Sequence, residues 1–359
     1  MEISTTPSTQ PVDDARLAEI LANPGFGLHF TDHMFIAEWT PDAGWHDARV
    51  TPYAPISLDP ATAVLHYAQE IFEGLKAYRH EDGSVWTFRP EANAERLARS
   101  ARRLALPELP VEDFIASVDT LVRTDARWVP DPAGEKSLYI RPFMFASEKF
   151  LGVRPSKHVT YMVICSPAGA YFAKGVRPVD IWLSTTYCRA GRGGTGAAKT
   201  GGNYASSLIA QQEATENGCD QVAFLDAVEG RYVEELGGMN LYFVHADGRV
   251  VTPELSGTIL EGITRSSIIE LCGKLGHPVE ERRFSADEWR QGVESGEIAE
   301  VFACGTAAVV TPVGTLKWDG GQVSSGAEAG PLTVKIRQAL VDIQYGRAED
   351  TFGWMHRVV

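Results

Sequence analysis

Gly191-Arg192-Gly193-Gly194-Thr195-Gly196-Ala197-Ala198-Lys199-Thr200-Gly201-Gly202-Asn203-Tyr204 is the stretch from which this chain is best read. It lies between a β-rich run, Val179 to Thr186, and a helical pattern from about Tyr204 to Asn217, where Gly218 suits a left-handed cap. A glycine-rich strand-to-helix loop carrying Lys-Thr invites comparison with a nucleotide-binding P-loop. That motif needs glycine directly before the lysine, so that loop amides and ammonium converge on the same phosphates. Here Ala197 and Ala198 separate Gly196 from Lys199, and more glycines follow. The P-loop match fails. What remains is a lysine among small residues, which let a planar ligand approach the backbone and keep the amine from bulk water. Desolvation disfavours the ammonium, and the neutral amine is the form that condenses with a carbonyl. A solvated lysine in a mobile loop is the alternative that the loop alone leaves open.

Working outward, the second half continues with turn signals at Glu229-Gly230 and Asp247-Gly248. A helix near Arg265–Leu275 ends at Gly276, short strands stand near Val279 and Val301, and a helix over Leu332–Ile343 follows Pro331. In the first half, strand patterns run from Gly27 to Trp39 and around Arg49 to Leu58. The spacing of Val64, Tyr67, Ala68, Ile71 and Leu75 predicts a helix over Thr62–Leu75. Lys76 to Phe88 reads as a hairpin turning at Asp82-Gly83, followed by helices over Glu91–Leu104 and Val111–Arg127 and strands over Ser137–Phe145 and Val159–Cys165. Strands meet as hairpins rather than in βαβ alternation, so the fold class expected is α+β. The expected organisation is a flexible tail over 1–14, a small N-terminal domain over 15–170, a Gly-, Ala- and Pro-rich connection over 171–178 and a large C-terminal domain over 179–359.

Composition narrows the function. Of 359 residues, 33 are Lys or Arg and 47 Asp or Glu, so the formal charge is −14. Nucleic acid is not the expected partner, because phosphate backbones need a basic footprint. No apolar run is long enough for a membrane span, and Met1 to Asp14 is too polar for a secretory leader. Cys165, Cys188, Cys219, Cys272 and Cys304 are scattered without a CxxC pair, so a reducing cytoplasm is expected. His29 and His33 lie four apart in a strand pattern with no third ligand evident, and are read as structural, with no metal expected.

The blocks around the loop extend the reading. GGxGxxKxGGNY resembles the lysine motif of the branched-chain amino acid aminotransferases, fold-type-IV enzymes that use pyridoxal phosphate. Further matches are FTDHM from Phe30, LHYAQEIFEGLKAYR from Leu65, RPEANAERLARSARRLALP from Arg89 and LYIRPF from Leu138. EELGGMNLYFV from Glu234, EGITR from Glu261, CGTAAVVTPV from Cys304 and IQYG from Ile343 follow in order. The resemblance implies a two-domain, D-amino acid aminotransferase-like fold with pyridoxal 5'-phosphate at the domain interface. It implies amino transfer between leucine, isoleucine or valine and 2-oxoglutarate, as in branched-chain amino-acid biosynthesis, by a cytoplasmic homodimer.

By that resemblance Lys199 carries the cofactor as a Schiff base and shuttles the proton at the substrate Cα. Glu235, rather than Glu234, keeps the ring nitrogen protonated, and Tyr204 bonds the phenolic oxygen. Arg96, Ile263, Thr264 and Thr306 hold the phosphate. Without the alignment, Arg96 would read as part of a basic helix face and either glutamate as a solvated hairpin residue. Phe26, Tyr67, Phe72, Tyr139, Arg141 and Tyr171 form the substrate pocket, with Tyr67 and Arg141 for the γ-carboxylate of glutamate. Ala307 offers its N–H to the α-carboxylate. Leu151 and Val153 close the partner subunit's pocket.

Two positions depart from the family. Ala308 and Thr311 stand where animal members carry a redox-active cysteine pair, so thiol regulation of that kind is not expected. Gly238 replaces a threonine found in many relatives. The competing readings are another fold-type-IV enzyme, such as a D-amino acid aminotransferase or aminodeoxychorismate lyase, and a catalytically silent binding protein. Lys199, Glu235, Tyr204 and Arg96 occurring together argue against the last.

Overall fold

The computed structural model describes residues 1–169 and 176–359. The chain divides into two units. The first takes Met1–Ala173, Ala198–Gly201 and Asp342–Val359, and the second takes Lys174–Ala197 and Gly202–Val341. Residues 170–175, most of the expected connection, lie outside the description.

In the first unit one sheet runs in the order Ser4–Thr5, Gly44–Pro52, His33–Thr40, Val159–Ala168, Ser137–Ala146, Leu75–Arg79, Val85–Phe88 and Met355–Arg357. Glu70–Phe72 pairs separately with Ser137–Ala146. Its helices are α1 (Asp14–Ala22), a single turn α2 (Val64–Tyr67), α3 (Pro90–Arg103) and α4 (Val111–Thr124). α3 buries Asn93, Arg96, Leu97, Ser100 and Ala101, the spacing of one helical face. Leu97 and Ala101 join Phe114, Val118 and Leu121 of α4 and Phe35, Ile140 and Val163 of the sheet in one core. Asn93, Arg96 and Ser100 form a polar stripe beside it.

Several expectations change here. The helix over 62–75 stops after one turn, because Ala68 turns left-handed (φ 48) and closes on the Val64 carbonyl, and the chain then enters strands. The strand expected from Gly27 begins at His33. The tail is partly ordered: Ser4–Thr5 pairs parallel with Arg49–Val50, and the Val12 N–H donates to Asp32. α1 was not anticipated; Asp13 caps it, and Leu17 and Ile20 anchor it in the core. At the other end, Met355–Arg357 pairs antiparallel with Trp86–Phe88, which is why the last residues go with the first unit.

The second unit holds a mixed sheet in the order Val233–Leu236, Gln221–Leu225, Val179–Ser184, Val309–Trp318, Ile298–Gly305, Asn240–His245, Val250–Pro253 and Val279–Arg282. Gly321–Ser324 pairs alongside Val309–Trp318. The helices are α5 (Gly201–Glu216), α6 (Ile263–Lys274), α7 (Ala286–Ser295) and α8 (Pro331–Gln344). Ala210 and Ala214 of α5 pack on Cys219, Val222 and Phe224, and Phe243 stacks on Phe284 at 3.9 Å. Helices and largely antiparallel sheets fit the α+β expectation.

Candidate active site

In the first unit the site grows from the polar stripe on α3. Glu73, fully buried, receives Arg96 through both oxygens, Nε to Oε1 and Nη2 to Oε2 at 2.8 Å each. Asn93 Nδ2 (2.7 Å) and the Gly74 amide (3.1 Å) also donate to Oε2. Burial pushes the carboxyl up, but Arg96 outweighs it, with Lys199 adding to the effect, so Glu73 is held below its usual range.

Lys199 is held by its backbone. Its N–H donates to Ser100 Oγ of α3 (2.9 Å) and its carbonyl accepts the Phe72 N–H (2.9 Å). The next turn is latched too: Thr200 Oγ1 (3.1 Å) and the Gly201 amide both donate to the Glu70 carboxylate. A Cβ at Gly201 would lie 2.6 Å from that carboxylate, so the approach requires glycine. Burial pushes the Glu70 carboxyl up against these two bonds. The mobile-loop alternative does not describe this lysine.

The Lys199 Nζ stands 4.8 Å from the Phe72 ring centre, and the Arg141 guanidinium stands 4.8 Å from the same ring. Arg141 also donates to the Tyr139 hydroxyl (3.0 Å), and Phe26 sets its edge against Tyr139 at 5.0 Å. The Nε of Arg141 is buried without a hydrogen-bond partner. The structure thus gathers Lys199, Phe72, Tyr139, Arg141 and Phe26, with Arg96 joined through Glu73. Tyr67 donates its hydroxyl to the Leu151 carbonyl (2.6 Å), and Leu151 and Val153 are 64% and 89% exposed. Tyr171 lies outside the described residues.

The second unit supplies the other candidates. Glu234 and Glu235 are both buried, so neither is a solvated hairpin residue. Glu235 Oε1 accepts the Leu260 amide (2.7 Å) and faces Arg189 Nη1 (2.9 Å), and its Oε2 receives Asn240 Nδ2 at 3.4 Å. Glu234 differs. Its Oε1 takes the Thr258 hydroxyl, its Oε2 is buried without a hydrogen-bond partner, and burial pushes the carboxyl up.

Ile263 and Thr264 open α6, whose cap Gly262 offers no side chain to the first amides. A Cβ at Gly262 would lie 2.1 Å from Asn240 Oδ1, so the helix start packs on the residue that also reaches Glu235. Tyr204 is half-buried on α5 beside Gly238, where an added Cβ would meet its ring at 3.7 Å, an ordinary contact. Thr306 and Ala307 sit in the turn between Ile298–Gly305 and Val309–Trp318, and Val309 closes it with φ 61, a conformation costly for a β-branched residue. Ala308 and Thr311 are buried behind this turn.

Glu70, Glu73, Ser100, Arg189 and Asn240 escaped the sequence reading as site residues. The signals available were faint: two acidic residues inside the apolar run EIFEGL, and an arginine opening the glycine-rich loop. His33 is structural, its Nδ1 2.6 Å from Asp125 and its Nε2 accepting the Ser8 amide. The cysteines are free, Cys188 alone among them exposed. Among the described residues no group of His, Cys, Asp or Glu is arranged to hold a metal ion. In the first unit a lysine fixed by its backbone suits an aldehyde cofactor. In the second an uncapped helix start and a buried carboxylate suit, respectively, a phosphate and a cationic ring atom, groups that pyridoxal phosphate carries.

Comparison with known proteins gives the same direction. The amino-transferase class IV family matches residues 70–316. A probable branched-chain-amino-acid aminotransferase of Streptomyces coelicolor is 59% identical, covering 99% of this chain and 98% of that protein. The branched-chain-amino-acid aminotransferase of Mycolicibacterium smegmatis is 57% identical over 100% of this chain and 98% of its own length. Among solved structures, the branched-chain amino acid aminotransferase of Thermobaculum terrenum in its PLP-bound holo form superposes with a TM-score of 0.75. It is 25% identical, covering 91% of this chain and 98% of that one.

Proposed function

The chain belongs to the class IV amino-transferase family, and from that premise we propose that it is a pyridoxal-phosphate-dependent transaminase of the branched-chain amino acids. It exchanges an amino group reversibly between leucine, isoleucine or valine and 2-oxoglutarate. The observation that carries this reading is the clamp on Lys199, which fixes the backbone of a half-buried lysine between Ser100 and Phe72 and leaves its amine beside an aromatic and arginine-lined wall.

When bound, the cofactor supplies a conjugated ring that stabilises charge left at the substrate Cα. Lys199 would anchor it and, once released, would move the proton at that carbon. Arg96, the first amides of α6 at Ile263 and Thr264, and Thr306 would hold the phosphate. Glu235 would partner the ring nitrogen and Tyr204 the phenolic oxygen. Arg141 with Tyr67 reads the γ-carboxylate of glutamate, while Phe26, Phe72, Tyr139 and Tyr171 serve aliphatic side chains. Ala307 offers its N–H to the α-carboxylate.

The exposed Leu151 and Val153 support a homodimer in which each subunit covers its partner's pocket. Five free cysteines support a cytoplasmic location, and among the described residues no helix is long and apolar enough to cross a membrane.

The purified protein should absorb at ~410–430 nm, a band of the lysine-bound cofactor, and Lys199→Ala should lose that band while keeping its fold. A coupled assay with 2-oxoglutarate should give the highest rates with leucine, isoleucine and valine. Preference for D-amino acids, or full turnover by Lys199→Ala, overturns the reading.

A further inference from the structure

Arg189 opens the glycine-rich loop, and its guanidinium is buried. One nitrogen, Nη1, reaches three acceptors: Glu235 Oε1 at 2.9 Å, the Thr258 carbonyl at 3.0 Å and the Gly196 carbonyl at 3.2 Å. The Leu260 amide acts on the same Glu235 oxygen, and Asn240 Nδ2 approaches the other at 3.4 Å. A carboxylate buried without a cation becomes neutral by taking up a proton. Glu234 provides the internal contrast. It is also buried, takes the Thr258 hydroxyl as its hydrogen-bond partner, is attracted by Arg189 without direct contact, and is still pushed up by burial.

We propose that Arg189 is a positioning residue for the transaminase chemistry: it holds Glu235 as an oriented anion and, through the Gly196 carbonyl, ties the lysine-bearing loop to the same guanidinium. The proposal rests on the reading of Glu235 as partner of the cofactor's ring nitrogen. An anionic Glu235 favours a ring that carries N–H over one that carries C–H at that position, whereas a neutral Glu235 can offer only its O–H to an unprotonated ring nitrogen, a bond about half as strong.

The test is the affinity of the cofactor-stripped full chain for pyridoxal phosphate and for its 1-deaza analogue, in which carbon replaces the ring nitrogen. The parent protein should prefer pyridoxal phosphate by about tenfold or more, the size of one charge-assisted hydrogen bond. Arg189→Gln should reduce that preference to about threefold or less, and Arg189→Lys, which keeps the charge but cannot hold three acceptors, should fall between. A packing role alone raises both dissociation constants together and leaves their ratio unchanged, which overturns the proposal. Should Arg189→Gln fail to fold, Arg189→Lys decides, an unchanged ratio again counting against it. Glu235→Leu, which offers the ring nitrogen no hydrogen bond, separates the two levels: if it keeps the parent's preference, the ring-nitrogen reading of Glu235 is what fails.

Discussion

Glu73 in the first unit and Glu235 in the second are both buried carboxylates in contact with a buried arginine, yet they are held differently. Glu73 meets Arg96 fork to fork, and Asn93 and Gly74 add further donors, so both carboxylate oxygens are engaged by one side of the guanidinium. Glu235 takes the Leu260 amide and Arg189 on one oxygen and Asn240 at 3.4 Å on the other, while the same Arg189 nitrogen also meets two backbone carbonyls. The same two residue types thus make a rivet in one place and an oriented acid in the other.

The largest expected effect is on rate. Glu235→Gln should lower kcat about a hundred- to a thousandfold, the cost of losing one preorganised charge partner. Glu234→Gln, replacing an acid that burial already pushes towards its neutral form, should change kcat less than about threefold. Steady-state assays of the two variants decide, and the reverse order would mean the register through EELGGMN is one residue off.

Glu73→Gln should act on stability. Leaving Arg96 buried without its counter-charge costs about 3–5 kcal/mol, measurable by urea unfolding. Because Glu73 is held below its ordinary value, its contribution is present above that value and is lost as falling pH protonates the folded carboxyl. The gap between parent and variant should therefore narrow in acid. A loss below about 1 kcal/mol at neutral pH would show that the fork is no rivet.

Arg141 is a third kind of arginine, lying against the Phe72 and Tyr139 rings with a buried Nε that has no hydrogen-bond partner. Arg141→Met should raise KM for 2-oxoglutarate about tenfold, at ~1.4 kcal/mol, with leucine affected little. Single-turnover measurement of each half-reaction checks this, and equal impairment of both would assign Arg141 to the architecture of the pocket.

The smallest effect belongs to Glu70, whose carboxyl is pushed up by burial. Its contribution is present below the unfolded value and is lost as pH rises through the folded one, the opposite sign to Glu73. Glu70→Gln keeps an acceptor for Thr200 and Gly201, so the variant should gain on the parent as pH rises from about 4 to 7. Partial solvent screening keeps that gain below about 1 kcal/mol. Melting curves across that range are the check, and a gain towards acid would reverse the assignment.

What could be read from the sequence follows the range of each interaction. The helix over Glu91–Leu104 and the hairpin at Asp82-Gly83 are local patterns, and they appear as read. Residues 62–75 misled because Val64, Tyr67, Ala68, Ile71 and Leu75 keep helical spacing, while Glu70–Phe72 finds its partner in Phe143–Phe145 far along the chain. α7 carries a complete capping box, Ser285 with Glu288, but its polar sequence hid the helix. The lysine loop was legible because chemistry and motif share one short stretch. Glu73 and Arg189 were not, since burying a charge makes sense only once the distant counter-charge is in place.

The pairing of Met355–Arg357 with Trp86–Phe88 also sets an order of events on the ribosome. The strand at 85–88 emerges early, but its partner is translated only after the whole second unit. At ~5–20 residues per second this leaves a sheet edge of the nascent chain open for tens of seconds. The clamp on Lys199 needs only residues up to Gly201, so the reactive amine can be seated well before that edge is covered. Chaperone demand during synthesis should therefore fall on the first unit, the part made earliest and finished last.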